Sequence, residues 1–191
     1  MASICYGRDM RADAVRNRER LTAAAAELFA NRGVDVPLED IAAHAGVSIG
    51  TLYNNFANRG ALLDAVLPDR LAEVQRLADA AAADPDAWHA FAGFLDGVFT
   101  LQARDRSLNE AIARSPVGDV DVAAECGRVG GILDAVVRRA HDAGVLRADF
   151  GPADLSTLMS SLSQVIATAG DDDAVWRRHL GFVLDGLRAG R

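Results

Sequence analysis

Between positions 48 and 59 the chain carries Ser48, Ile49, Gly50, Thr51, Tyr53, Asn54, Asn55 and Arg59, a cluster of hydroxyl, amide and guanidinium groups with no acid among them. Such groups exchange hydrogen bonds without titrating near neutrality, so they suit recognition of phosphates and base edges rather than proton transfer. An amide such as Asn54 can bond an adenine edge at two points, worth roughly 1–3 kcal/mol of discrimination. Gly50 permits close approach, and Arg59 sits where a cation and helix N-terminal amides can share a phosphate, its plainer reading being a surface arginine. Catalytic constellations are missing elsewhere. His44, His89, His141 and His179 are scattered without metal-ligand spacing, and no H-E-x-x-H, paired E-x-x-H, Gly-rich phosphate loop or G-x-S-x-G is present. Cys5 and Cys126 lie far apart without metal or redox spacing. We therefore expect a binding protein rather than an enzyme, with no cofactor and no metal.

The elements that must position this cluster follow from apolar periodicity. Leu21, Ala24, Ala25, Leu28 and Phe29 form one face of a first helix over Arg18 to Asn31, which Gly33 can close. Pro37 suits a first helical position, Glu39 and Asp40 fit the positive end of the helix dipole, and Leu38, Ile41, Ala42 and Ala45 make the buried side of a two-turn second helix. Gly46 can turn the chain, Val47 can plug the angle, and Ser48 is a good N-cap for a third helix ending near Phe56. The result is a helix-turn-helix over about 37–56. Leu52 and Phe56, four apart, should face inward with Ile41 and Val47, leaving the opposite side of the third helix for a ligand. His44 reads as an exposed bystander that could face phosphate.

The run LEDIAAHAGVSIGTLYNNFANRGALL, residues 38–63, closely resembles the signature of the tetracycline-repressor (TetR) family, and the match runs without gaps over about the first 65 residues. The segment AGVLRADFGPADL, residues 143–155, is also similar to this family. The resemblance implies an all-α protein of about nine helices. It implies a homodimer that binds double-stranded operator DNA, by family default as a repressor, and leaves it when a small-molecule effector binds. On this pattern Thr51 and Tyr53 position the DNA backbone, with Tyr53 also able to pack on a thymine methyl, while Arg59 takes the basic position before the fourth helix. Ile49, Asn54 and Asn55 depart from the commoner family pattern, so base contacts should be differently distributed.

Net charge is −7 over 191 residues, which by itself argues against nucleic acid. The balance is uneven, however. Residues 1–60 hold seven Arg and seven acids, so the excess of acid lies wholly in the remainder. We expect a flexible tail over 1–14, a DNA-binding domain over 15–60 and a ligand-binding and dimerisation domain over 61–191. Arg8, Arg11, Arg16, Arg18 and Arg20 can reach phosphate or a minor groove, with a solvated surface as the plain alternative.

In the second part, Leu62, Leu63, Val66 and Leu67 continue an apolar face, and Pro68 should kink or break it. Ser107 to Glu110 reads as a capping box, and SPVGDVD, residues 115–121, as a loop. Trp88, Phe91, Phe94, Phe99, Met159 and Leu162 would supply apolar pocket walls. Gln102 and Ser163, and less centrally His89 and His141, would orient a ligand. Leu158, Leu162, Val165, Trp176, Leu180, Val183, Leu184 and Leu187 would form the dimer face of the last two helices. The opening MASICYGRDMR has no signal-like apolar stretch, and the longest uncharged run, Leu155 to Gly170, falls short of the about 18 residues a membrane span needs. A cytoplasmic protein without a membrane partner is expected, nucleoid-associated when on DNA. A helical carrier or interaction module that has lost DNA binding is the alternative.

Overall fold

The computed structural model describes residues 4–114, 123–170 and 172–190. Among the described residues there are nine α-helices and no strand. They fall into two compact units, Met1–Arg70 and Leu71–Arg191.

The first unit holds α1 (Ile4–Arg32), α2 (Leu38–His44), α3 (Ile49–Asn55) and the opening turns of α4 (Arg59–Ala83). The stretch expected as a flexible tail is helical from Ile4 onward. Residues 4–17 contain no proline and include three Arg, two Ala and a Met, all good helix formers, so a helix nucleated by the packed stripe can propagate backward through them. Leu21, Ala25, Phe29, Ile41, Leu52 and Phe56 are sealed from solvent in one core. Leu62 and Val66 join the same core from α4, which places the boundary ten residues beyond the expected position 60, at Arg70. Pro68 lies inside a continuous α4 rather than ending it. Both Pro68 and Asp64, whose carbonyl loses its i+4 donor, face solvent, so water can take the place of the missing hydrogen bond.

The turn between α2 and α3 forms as its residues dictate. Gly46 has φ of 66°, open to glycine at little cost. Ser48 caps α3, its Oγ accepting from the Thr51 amide at 3.1 Å. We expect Ser48→Ala to cost about 1 kcal/mol of stability in the first unit, read as a lowered denaturant midpoint at unchanged slope.

The second unit contains the rest of α4 with α5 (Ala87–Arg104), α6 (Arg106–Arg114), α7 (Ala123–Asp142), α8 (Pro152–Ala169) and α9 (Asp173–Leu187). Asp86 caps α5 by accepting from the amides of Trp88 and His89, each at 2.9 Å. Asp172 caps α9 through the Ala174 amide at 3.1 Å. The capping box expected at Ser107 is displaced. α6 opens at Arg106, and Asp105 Oδ1 accepts from the Leu108 amide at 3.1 Å and from Ser107 Oγ at 2.6 Å. An aspartate at the corner outcompetes the serine because its carboxylate serves both donors. The expected loop at 115–121 lies outside the described residues. Phe91, Phe94, Leu95, Phe99, Leu155, Leu162 and Trp176 form the centre of the second core. The α7–α8 connection is tied to the C-terminal segment by Arg147 N donating to Leu187 O and Ala189 N to Val145 O, both at 2.9 Å. Among the described residues, no helix is long and apolar enough to cross a membrane.

Candidate functional site

Helix α3 divides cleanly into two faces. Leu52 and Phe56 point into the core, while Gly50, Tyr53 and Asn54, spaced to share one side of a helix, are exposed. Tyr53 is 52% exposed, a large ring left half open to solvent. A Cβ on Gly50 would meet only Ser48 Oγ at 3.8 Å, so internal packing does not require a glycine there and the free space lies outside. Ser48 Oγ and Thr51 Oγ1 hold each other at 2.9 Å. Asn55 is turned back on its own helix, Nδ2 donating to Thr51 O at 2.8 Å. Ile49 packs in part against the core, which accounts for an apolar residue at that position.

Four residues considered for phosphate contact, Arg18, Arg20, His44 and Arg59, also make bonds within the first unit. Arg18 Nη1 donates to Asn55 O at 2.7 Å and its guanidinium lies 4.2 Å over the Phe56 ring, so it serves the carbonyl end of α3. Arg59 Nη1 donates to the carbonyls of Val34 and Val36, tying the start of α4 to the α1–α2 connection. His44 Nε2 meets Glu27 Oε2 at 2.9 Å. Arg20 Nη2 reaches Gly46 O at 3.3 Å. The fork of an arginine satisfies several carbonyls at once, which a sequence reading that treats it only as an anion ligand overlooks. Arg59→Met is therefore expected to lower the unfolding midpoint of the first unit, because two carbonyls lose their donor. A phosphate contact alone would leave that midpoint unchanged, so chemical denaturation of the variant separates the two roles.

In the second unit the expected pocket is largely filled. Phe94, Phe99, Met159 and Leu162 are core residues, Trp88 is half-buried under the Arg188 guanidinium, and Phe91 borders an open cleft. Gln102 and Ser163 do meet, Oγ donating to Oε1 at 2.7 Å, but deep among the helices. The cleft has a volume of about 330 Å³ and runs between α4, α5 and α7, with Ala78, Ala82, Ala87, Ile132 and Val136 as apolar walls and Gln75, Asp79 and Arg139 as polar groups. Its alanine-rich wall was missed because small residues give no bulky stripe, although the run from Ala78 to Ala83 was a signal of a thin helix face. Arg139 donates to the carbonyls of Ala81 and Asp84 beside it. At the same corner Asp84 hydrogen-bonds His89, a contact that raises the imidazole pKa and lowers that of the carboxyl. His141 points away, to Arg147 O at 3.2 Å.

The residues expected at the dimer face divide between buried and partly covered positions. Leu158, Leu162, Trp176, Leu180 and Leu187 are buried within the protomer, and Val165, Val183 and Leu184 are only partly covered. The side of α9 left open presents Phe182, 68% exposed, and Val175. The leucines drew the sequence reading to the inward stripe, whereas a lone phenylalanine opposite them marked the outward one.

Residues 21–66 match the sequence model of bacterial regulatory proteins of the tetR family. Residues 84–189 match that of the C-terminal domain of SbtR-like transcriptional regulators. A search of curated protein sequences returns no match. Among solved structures, a TetR transcription regulatory protein from Mycobacterium vanbaalenii is 30% identical over 94% of this chain and 99% of its own, with a TM-score of 0.59. A TetR transcriptional regulator from Streptomyces coelicolor is 28% identical over 91% of this chain and 99% of its own, with a TM-score of 0.60. A ketosteroid transcriptional regulator from Mycobacterium tuberculosis shares the fold at 20% identity, covering 91% of this chain and 95% of its own, with a TM-score of 0.62. With its helix-turn-helix head and its second helical unit both matched, the chain belongs to the TetR family of DNA-binding transcriptional regulators.

Proposed function

We propose that the protein is a repressor that binds a palindromic operator as a homodimer and releases it when a small molecule enters the second unit. The observation that carries this reading is the outward face of α3. Gly50 has no side chain, the side chains of Tyr53 and Asn54 make no hydrogen bond among the described residues, and all three stand on a helix braced at both ends, by Ser48 at the start and Arg18 at the finish. A rigid helix with an uncommitted polar and aromatic face suits the major groove, where helix-turn-helix proteins place their second helix. Ser48, Thr51 and Asn55 act mainly by holding that face in shape. The exposed Phe182 and Val175, with partly covered Val165 and Val183, form the contact between protomers. The protein works in the cytoplasm, on the nucleoid.

The cleft beside the second half of α4 is the accessible effector site in this reading, because α4 also carries Leu62 and Val66 into the core under the DNA-binding helices. An effector acts only through a difference in affinity between two states, with typical coupling of about 1–3 kcal/mol. Selection of bound duplexes from a random-sequence pool by the purified protein tests the proposal. Inverted repeats occupied by two protomers are the expected product, and enrichment of no sequence, or of single unpaired half-sites, would refute it.

A further inference from the structure

The short connection from α4 to α5, Asp84-Pro85-Asp86, is tied to three helices at once. Asp84 Oδ1 accepts from the Asp86 amide at 2.9 Å, and Asp84 Oδ2 meets His89 Nδ1 of α5. The carbonyls of Asp84 and of Ala81, in the last turn of α4, both accept from the Arg139 guanidinium of α7. Asp86 in turn caps α5 through the amides of Trp88 and His89. Within this set, His89 is the member whose ordinary titration falls near neutrality. The Asp84 side chain is 22% exposed and that of His89 79%, so the carboxylate is held against the protein while the ring exchanges its proton with water.

We propose that this corner is a proton-operated latch, in which the His89 imidazolium clasps Asp84 and pins the first turn of α5 to the end of α4, and which slackens when the ring loses its proton. A neutral ring offers one N–H and no charge, so deprotonation turns a charge-assisted bond into an ordinary one. The hydrogen bond to Asp84 raises the pKa of His89, the charges of Asp84 and Asp86 add to it, and desolvation opposes them. The bond from His89 lowers the Asp84 carboxyl, helped by the Asp86 amide and by the charges of His89 and Arg139, again against desolvation. A histidine raised in this way stabilises the fold in full below its unfolded value of about 6.5, and the contribution is lost as pH climbs through the folded value. The lowered aspartate contributes above about pH 4 and is lost in acid, so the latch is tightest between about pH 4 and 6.5 and slackens on the alkaline side. The charged groups around the pair are Asp86 on the connection, Asp79 on α4, which borders the cleft with Arg139, Arg139 itself on α7, and Arg188, which lies over the Trp88 ring next to His89. Ala81, Ala87 and Arg139 also line the cleft, so the latch governs how firmly that end of it is held.

Both tryptophans, Trp88 and Trp176, lie in the second unit, so their fluorescence follows its unfolding. The test compares the full-length protein with His89→Gln, which keeps an amide donor but no titrating ring, at one protein concentration and at about pH 5.5 and pH 8.5. The parent should melt about 1–3 °C above the variant at the lower pH, the size expected of an exposed charged pair, and the gap should close at the higher pH. The other three histidines are common to both chains, so their titration cancels in the difference. The midpoint of the His89 ring titration, followed by NMR, should fall in Asp84→Asn, whose side-chain oxygen can still accept from the Asp86 amide. A gap of equal size at both pH values would overturn the proposal by marking the contact as a fixed structural bond. A gap that is absent at both or wider at the higher pH, or a ring midpoint unmoved by Asp84→Asn, would overturn it too, by showing that ring and carboxylate do not clasp as ions. Because these readouts need neither DNA nor effector, they stand or fall separately from operator release.

Discussion

Replacing Tyr53 and Asn54 together with alanine is expected to abolish measurable operator binding while leaving the fold intact. Each side chain is exposed on α3 and makes no hydrogen bond or ion pair among the described residues, so its removal breaks no internal polar contact there. Each good contact to a base edge is worth roughly 1–3 kcal/mol. A dimer presents the pair twice, so the lower end of that range gives about 4 kcal/mol, close to a thousandfold in affinity at 1.4 kcal/mol per decade. The unfolding midpoint should stay within about 0.5 kcal/mol of the parent, as for other exposed substitutions. Fluorescence anisotropy on a selected duplex and urea unfolding followed by circular dichroism check the two halves. Full retention of affinity would show that α3 is not the reading helix.

Phe56→Ala is expected to give the opposite pattern. Its ring is 1% exposed in the core of the first unit and lies under the Arg18 guanidinium. Burying such a ring is worth about 3–5 kcal/mol on truncation to alanine, and loss of the cation–π contact adds roughly 0.5–1 kcal/mol. That is a large share of the 5–15 kcal/mol by which small domains are stable. DNA binding should therefore vanish because the head unfolds. The second unit has its own core of Phe91, Phe94, Phe99 and Trp176, so its helices should persist and their unfolding midpoint should not move. A loss of helicity spread across the whole chain would mean that the two units do not unfold separately.

The contrast between these two variants, whose sites lie within three residues of one another, also measures what the sequence could tell. Leu52 and Phe56 inward, Tyr53 and Asn54 outward, Gly46 at the turn and Ser48 at the cap were all legible. Each follows from helical spacing, the left-handed backbone of glycine, or a short side chain that can bond its own helix. The arginines were not legible in the same way. Arg18 and Arg59 have long side chains that reach carbonyls 37 and 25 residues away, and no local pattern encodes such a reach. The aromatic residues could not be sorted into core and pocket wall from sequence, because bulky aromatics are as good at filling a core as at lining a cavity. The open space appeared where alanines face one another. The outward face of α9 was hidden by a stronger inward stripe of Trp176, Leu180 and Leu187. Pro68 broke a rule of local propensity without breaking the helix, since its missing bond faces water. Gln102 and Ser163 were singled out as polar residues in an apolar stretch, but Asn109, which makes them a cluster, comes from another helix and only the fold joins it to them.

The central claim, that this protein reads operator DNA through α3, is tested most directly by titrating the purified dimer against its own upstream intergenic duplex and a scrambled duplex across a salt series, followed by fluorescence anisotropy. The account predicts tight binding to the first at two protomers per site, much weaker binding to the second, and a steep loss of affinity as salt rises. Equal weak binding to the upstream duplex, the scrambled duplex and any site recovered by random-sequence selection would contradict it.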